Sequence, residues 1–141
     1  MEPSSPQRPL PALERDSEFY WTAGAEGRLL IARCEACARY IHPPQPYCAA
    51  CGSTRTAPSP VSGRGRVASY TVNEQQWIPG LEVPYVLAAV ELAEQQELYV
   101  FSNIVGCAPG DVRIGMEVTV GFEQHGAIFL PLFQPVGGTD A

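Results

Sequence analysis

Four cysteines, Cys34, Cys37, Cys48 and Cys51, are spaced as two Cys-x-x-Cys pairs separated by ten residues. Each pair can form a knuckle, a tight turn that points two sulfurs at one centre, and two knuckles can close a tetrahedral four-thiolate site around a metal. Gly52 follows the second knuckle, where a backbone turning under a sulfur needs positive φ, while Ala38 holds the equivalent place after the first. Two disulfides, or four free thiols, would be the non-metal alternative. A zinc ion fits the donor set, and its role would be structural, because four thiolates leave no open position for water or substrate. Iron in the same sulfurs would make an electron carrier. A bare electron carrier would not need the strands that follow Val67.

Other groups able to do chemistry are few. Nucleophilic catalysis needs an activated cysteine with a histidine base within reach. The one cysteine outside the quartet is Cys107, and the histidines are His42 and His125. Cys107 lies in the small apolar stretch Ile104-Val105-Gly106-Cys107-Ala108, where a buried inert thiol is expected. His42, between the knuckles, is expected to pack or to support the metal ligands, and His125 at a hairpin tip to be solvated. Gly63-Arg64-Gly65-Arg66 leads into a strand rather than a helix, so it is no nucleotide-binding loop. The sequence therefore offers no catalytic residues of its own.

The elements that must hold the knuckles read as mainly β. Residues 1–12, rich in proline and serine, form a flexible leader. Residues 13–27 contain a short helix with the apolar positions Leu13, Phe19, Tyr20 and Trp21, capped at Asp16 or Ser17 and ended at Gly24 or Gly27. Arg28 to Arg33 is a strand delivering the chain into the first knuckle, Tyr40 to His42 is a short return strand, and Pro43-Pro44-Gln45-Pro46 stiffens the approach to the second. Residues 28–58 thus have the layout of a rubredoxin-like zinc ribbon, in which a metal replaces a core too small to exist. Ser53 to Ser62 reads as a polar linker. Residues 59–136 carry five strands: Arg66 to Val72, Pro84 to Leu92, Leu98 to Val105, Glu117 to Glu123 and Ala127 to Phe133. A loop with one helical turn over Pro109 to Met116 interrupts them. Five short strands without a long helix point to a barrel of the OB type. The nearly continuous apolar run Pro84 to Leu92 is expected to be covered on both faces, and residues 137–141 form a tail.

Charge divides the chain. The net charge is −6, and all nine basic residues are arginine. Six of them lie between Arg28 and Arg66, where Glu35 is the sole acid, whereas from Val67 onward Arg113 faces nine acids. A phosphate backbone would be repelled by that acidic half, so nucleic acid is not expected as a partner although OB barrels and zinc ribbons often bind it. The aromatics of the barrel strands are expected in the core. Trp77 and Ile78, beside Pro79-Gly80, stand on a connection where they can fold over the barrel or touch a partner or acyl chain. Met1-Glu2-Pro3-Ser4 shows no secretory signal pattern and no apolar run reaches membrane-spanning length, so a cytoplasmic protein with no membrane partner is expected.

Taken in order, these pieces resemble a known family. They are Phe19-Tyr20-Trp21, Gly27-Arg28-Leu29-Leu30, Pro43-Pro44, Cys48-Ala49-Ala50-Cys51-Gly52-Ser53, Gly63-Arg64-Gly65-Arg66-Val67 with Ser69-Tyr70-Thr71-Val72, Pro84-Tyr85-Val86, Arg113-Ile114-Gly115-Met116 with Val118, and Pro131-Leu132-Phe133. The family is that of the acyl-CoA-associated OB-fold proteins with a rubredoxin-like zinc ribbon, known as domain of unknown function thirty-five. One departure is Glu94-Gln95-Gln96-Glu97, where such proteins often have an acidic residue and glycine in a tight turn.

The resemblance implies a non-catalytic accessory subunit that forms a hetero-oligomer with a thiolase-like, lipid-transfer-protein-like catalytic subunit. That enzyme would act on acyl-CoA thioesters, foremost as a retro-aldolase of steroid side-chain degradation, or alternatively as an acyltransferase making acylated aromatic metabolites. Zn2+ is the implied structural cofactor. With acyl-CoA as a further ligand, Arg28, Arg39, Arg55, Arg64, Arg66 and Trp77 are candidates for touching CoA or the partner, since arginine binds phosphate and carboxylate bidentately. Phe19, Tyr20 and Trp21 are candidates for docking on the partner.

Overall fold

The computed structural model describes residues 10–76 and 81–136. The greater part of the expected leader, the 137–141 tail and Trp77 lie outside the described residues. The chain begins with α1 (Glu18–Thr22), which continues as a 3₁₀ turn (Ala23–Glu26). Ser17 stands at the N-cap without a side-chain cap bond, and Gly27 ends the turn in the left-handed region. Gly24 has a different task. A Cβ there would lie 2.5 Å from Phe129 Cβ and 2.6 Å from Phe122 Cδ1, so only glycine lets the turn settle on the two strands behind it.

A three-stranded antiparallel sheet follows, in the order β2 (Tyr40–Ile41), β1 (Leu29–Cys34), β3 (Thr56–Val61). β3 corrects the expected linker over Ser53 to Ser62: it pairs with β1 in register from Leu29↔Val61 to Cys34↔Thr56. Pro58 and Pro60 disguise it in the sequence. They occupy alternate positions of an edge strand, where the missing N–H would have pointed off the sheet, and there proline costs no ladder bond.

The remaining strands are β4 (Arg64–Asn73), β5 (Tyr85–Leu92), β6 (Tyr99–Ile104), β7 (Glu117–His125) and β8 (Ile128–Pro135). They close a barrel in the order β4-β5-β6-β8-β7, the five-stranded OB-type arrangement expected. Closure removes the exposed edges that an open sheet of this size would present. β4 pairs with β5 along its length and with β7 only over Arg64–Arg66, with a register shift between Val67 and Ser69. Among the described residues the sole parallel pairing, β6 with β8, is brief, at Ile104↔Phe133. There Ser102, the one buried polar residue among those described, donates its hydroxyl to Pro131 O at 2.6 Å and satisfies a carbonyl that the short ladder leaves over.

Inward positions alternate along each strand: Val86, Ala88, Val90 and Leu92 on β5, and Val100, Ser102 and Ile104 on β6. Phe133, Val67 and Val118 fill the centre, and Tyr20, Leu29 and Ile31 belong to the same cluster, so helix, ribbon and barrel share one core. The outward positions overturn two expectations. β5 is not covered on both faces, since Leu87 is 45 % exposed, and Phe101 on β6 is 73 % exposed rather than core. A barrel wall has a second layer only where another element lies on it, and nothing described lies on this one.

Candidate metal centre

The knuckles are built alike. In the first, Cys34 N donates to Arg39 O at 2.8 Å and Ala38 N to Cys34 O at 2.9 Å; in the second, Cys48 N donates to Ser53 O at 2.8 Å and Gly52 N to Cys48 O at 2.7 Å. Both turns require a left-handed residue, supplied by Ala38 (φ 69°) and Gly52 (φ 81°). The first knuckle is braced by Arg33, whose Nε donates to Ala38 O at 2.8 Å while its guanidinium lies 4.5 Å from the centroid of the Tyr40 ring.

The four sulfurs converge, all lying within 4.8 Å of one another. Cys34 Sγ is 3.6 Å from Cys51 Sγ, and Cys37 Sγ is 3.7 Å from Cys48 Sγ. These distances exclude disulfides, which need about 2.05 Å. They match the edge of a tetrahedron with metal–sulfur bonds of about 2.3 Å, which is about 3.8 Å. Backbone amides favour the thiolate at Cys34 and Cys48. Cys37 N and Ala36 N each approach Cys34 Sγ at 3.4 Å, and these bonds, that from Cys37 foremost, lower the Cys34 thiol to about 6. The Cys51 amide, and then that of Ala50, lower Cys48 in the same way. At Cys51 the Ser53 amide lowers the pKa, but burial and the neighbouring sulfurs outweigh it and push it up to about 11. Four thiolates packed this closely need a cation between them. The donor set fits zinc in a closed site, where the ion supplies a cross-link and offers no position for substrate.

The other candidates scatter. Arg28 pairs with Glu26 at 3.7 Å, and Arg66 reaches Glu117 at 4.0 Å. Arg64 and Arg66 line one groove with Glu117, whereas Arg39 lines a different cleft beside Tyr47 and Cys48. Arg55 sits after the second knuckle, its amide held by Ser53 Oγ at 3.0 Å and its carbonyl by Glu35 N at 2.8 Å. Of the aromatic trio, Tyr20 is not available for docking: it is 5 % exposed, and burial pushes its phenol well above the usual range. Phe19 and Trp21 pack half-buried against the core. His42 packs as expected, its ring 4.8 Å from that of Tyr20, with Nδ1 buried and without a partner among the described residues. His125 is not solvated, since its side chain is 12 % exposed and Nε2 lies 2.8 Å from Glu123 Oε1. Burial, with the charge of Asp111, raises the Cys107 thiol, the opposite of an activated nucleophile.

Sequence reasoning missed what the Glu94–Glu97 turn does. Gln95 Oε1 accepts from Tyr40 N at 2.8 Å, and Nε2 donates to Tyr40 O at 3.1 Å. Glu94 Oε2 accepts from Ser62 N at 2.7 Å, and Glu91 Oε2 accepts from Glu97 N at 2.7 Å, with Glu97 itself at φ 63°. The departure from the acidic-Gly turn was the available signal.

Two family models match this chain: "ChsH2, rubredoxin-like zinc ribbon domain" over residues 21–57 and "ChsH2, C-terminal OB-fold domain" over residues 59–123. A protein of Thermomonospora curvata described as "Probable enoyl-CoA hydratase alpha subunit" is 42 % identical over 91 % of this chain and 40 % of its own length. The "3-oxo-4,17-pregnadiene-20-carboxyl-CoA hydratase alpha subunit" of Mycobacterium tuberculosis is 34 % identical over 84 % of this chain and 36 % of its own length. The chain thus spans well under half the length of these relatives. A "DUF35 domain-containing scaffold protein" of Methanocaldococcus jannaschii is 33 % identical over 68 % of each chain. Among solved structures, a chain of an "Ltp2-ChsH2(DUF35) aldolase" superposes with TM-score 0.81 at 39 % identity, covering 89 % of this chain and 98 % of that one. A DUF35 protein of unknown function from Sulfolobus solfataricus, at 15 % identity and TM-score 0.59, shares the fold. With both modules matched in order, and a scaffold relative matched over two thirds of its length, this chain belongs to the DUF35 family, in its ChsH2-like form of zinc ribbon and OB barrel.

Proposed function

We propose that this chain is the non-catalytic accessory subunit of a thiolase-superfamily enzyme acting on acyl-CoA thioesters, a retro-aldolase before any other activity. The observation that carries this reading is the likeness to the DUF35 chain of the Ltp2-ChsH2 aldolase, which extends over 98 % of that chain. Relatives described as hydratase alpha subunits support a place in acyl-CoA chemistry. This chain spans 40 % and 36 % of those proteins, and the reading takes from them acyl-CoA chemistry alone. The chemistry of the chain agrees. The four clustered cysteines suit a closed metal site, and burial with the charge of Asp111 raises the Cys107 thiol rather than activating it.

The test is co-expression with an Ltp2-type thiolase-like subunit, followed by size-exclusion chromatography and a retro-aldol assay on a β-hydroxyacyl-CoA. A stable heteromeric complex that releases an aldehyde or ketone is expected, with no turnover by this chain alone. Turnover by the isolated chain, or two separate elution peaks with full activity in the partner's, would sink the reading.

A further inference from the structure

The outer wall of the barrel carries an apolar centre that nothing in the described chain covers. Leu87 on β5 is 45 % exposed, and on β6 Phe101 is 73 % and Tyr99 39 % exposed. Register places them together: Leu87 pairs with Asn103, Ala89 with Phe101 and Glu91 with Tyr99, all on the outward side of the two strands. From Phe101 and Leu87 a groove of about 280 Å³ runs toward Tyr85, Leu132 and Trp21 of α1. Single exposed apolar side chains are ordinary, but a contiguous set continued by a groove marks a contact surface.

We propose that this wall, centred on Phe101 and Leu87, seats the catalytic partner subunit through a protein surface with an apolar centre and a basic rim. The inference rests on the accessory-subunit reading above. The rim decides the occupant. Glu74 follows Asn73, which pairs with Tyr85; Glu82 follows Leu81, which lines the groove; Glu91 and Glu97 meet beside Tyr99. Arg66, across from Glu91, already lies 4.0 Å from Glu117. A second copy docked about a two-fold axis would set this acidic rim against itself. Single-stranded nucleic acid stacks on exposed aromatics, but it requires a basic groove around them. An apolar centre with a charged rim is instead the anatomy of a protein interface, and its buried aromatic anchors carry most of the binding energy.

The probe is the Ltp2 subunit of the Ltp2-ChsH2 aldolase, with affinity measured by calorimetry at two salt concentrations. Phe101→Ser with Leu87→Ser is expected to weaken binding by about tenfold or more. Both side chains are exposed, so the thermal midpoint and zinc content should hold. Glu74→Lys with Glu82→Lys should weaken binding too, most at low salt. If the unsubstituted chain binds and the serine variant binds equally well, the face is wrong while the accessory reading stands. If the unsubstituted chain does not bind, the accessory reading fails and this inference falls with it. Sedimentation showing a dimer that the serine variant abolishes would assign the face to a second copy. Serine-sensitive binding of a labelled oligodeoxythymidine would assign it to nucleic acid. Either outcome overturns the proposal.

Discussion

The carboxamide of Gln95 pairs with both backbone groups of Tyr40, at 2.8 Å to its nitrogen and 3.1 Å to its oxygen, so one side chain of the β5–β6 turn acts as an extra strand residue for β2. β2 is two residues long and has β1 on one side only. Its free edge would face solvent without this pairing, and through it the barrel takes hold of the ribbon close to the first knuckle.

Replacing Gln95 should therefore loosen the junction more than its surface position suggests. Gln95→Ala leaves a part-buried donor and acceptor of Tyr40 unpaired, a cost of about 1–3 kcal/mol. Thermal unfolding should register that loss, and amide hydrogen exchange at Tyr40 should speed up while exchange in β5 stays slow. An unchanged exchange rate at Tyr40 would mean that water replaces the carboxamide without penalty.

A methyl group should cost stability at both knuckles, so opposite substitutions should have opposite effects. Ala38 and Gly52 both adopt positive φ, 69° and 81°, where an L-side chain costs about 1–2 kcal/mol. Ala38→Gly should raise stability by a fraction of that figure, because the freer unfolded chain takes some of it back. Gly52→Ala should lower stability by about 1 kcal/mol. Nothing lies within 4 Å of a Cβ built at Gly52, so the loss would come from backbone strain alone. Chelator-driven zinc release, followed with a colorimetric indicator, should slow in the first variant and quicken in the second.

How far the sequence carried the reading depended on whether a signal was local. The cysteine quartet and the barrel strands announce themselves, because metal spacing and period-two alternation are written within a few residues. β3 did not, since Pro58 and Pro60 are strand breakers everywhere but at an edge, and edge position is a property of the finished sheet. The exposure of Phe101 and Leu87 was hidden for the converse reason. An apolar strand reads as covered, and only the assembled barrel shows that its outer wall is bare. The Gln95–Tyr40 bond spans 55 residues, beyond any pattern in a single sequence.

Metal removal should affect the whole chain and not the ribbon alone. Between Ile41 and Thr56 there is no strand or helix, so the metal is the cross-link that fixes this stretch. Leu29 and Ile31 of β1 share their core with Val67, Val90 and Phe133 of the barrel. Metal analysis is expected to find one zinc per chain in a colourless protein. After chelation, calorimetry should show one cooperative transition at a lower midpoint. Two separate transitions would mean that the barrel is indifferent to the ribbon.

His42 should make the fold acid-sensitive. Its ring lies tilted against buried Tyr20, its Nδ1 has no partner among the described residues, and burial lowers its pKa from 6.5 to about 4. The unfolded chain then binds a proton between those values that the folded chain refuses, so stability rises with pH across this window. The contribution is complete above pH 6.5 and falls away on acidification toward pH 4, a loss on the order of 3 kcal/mol at 1.36 kcal/mol per pKa unit. Acid also protonates the cysteine ligands, so the informative quantity is a difference between variants. His42→Phe keeps a ring against Tyr20 and removes the titration. Its unfolding free energy in denaturant should fall less steeply than that of the unsubstituted chain between pH 6.5 and 4. Identical slopes would place the acid sensitivity in the metal site and not in His42.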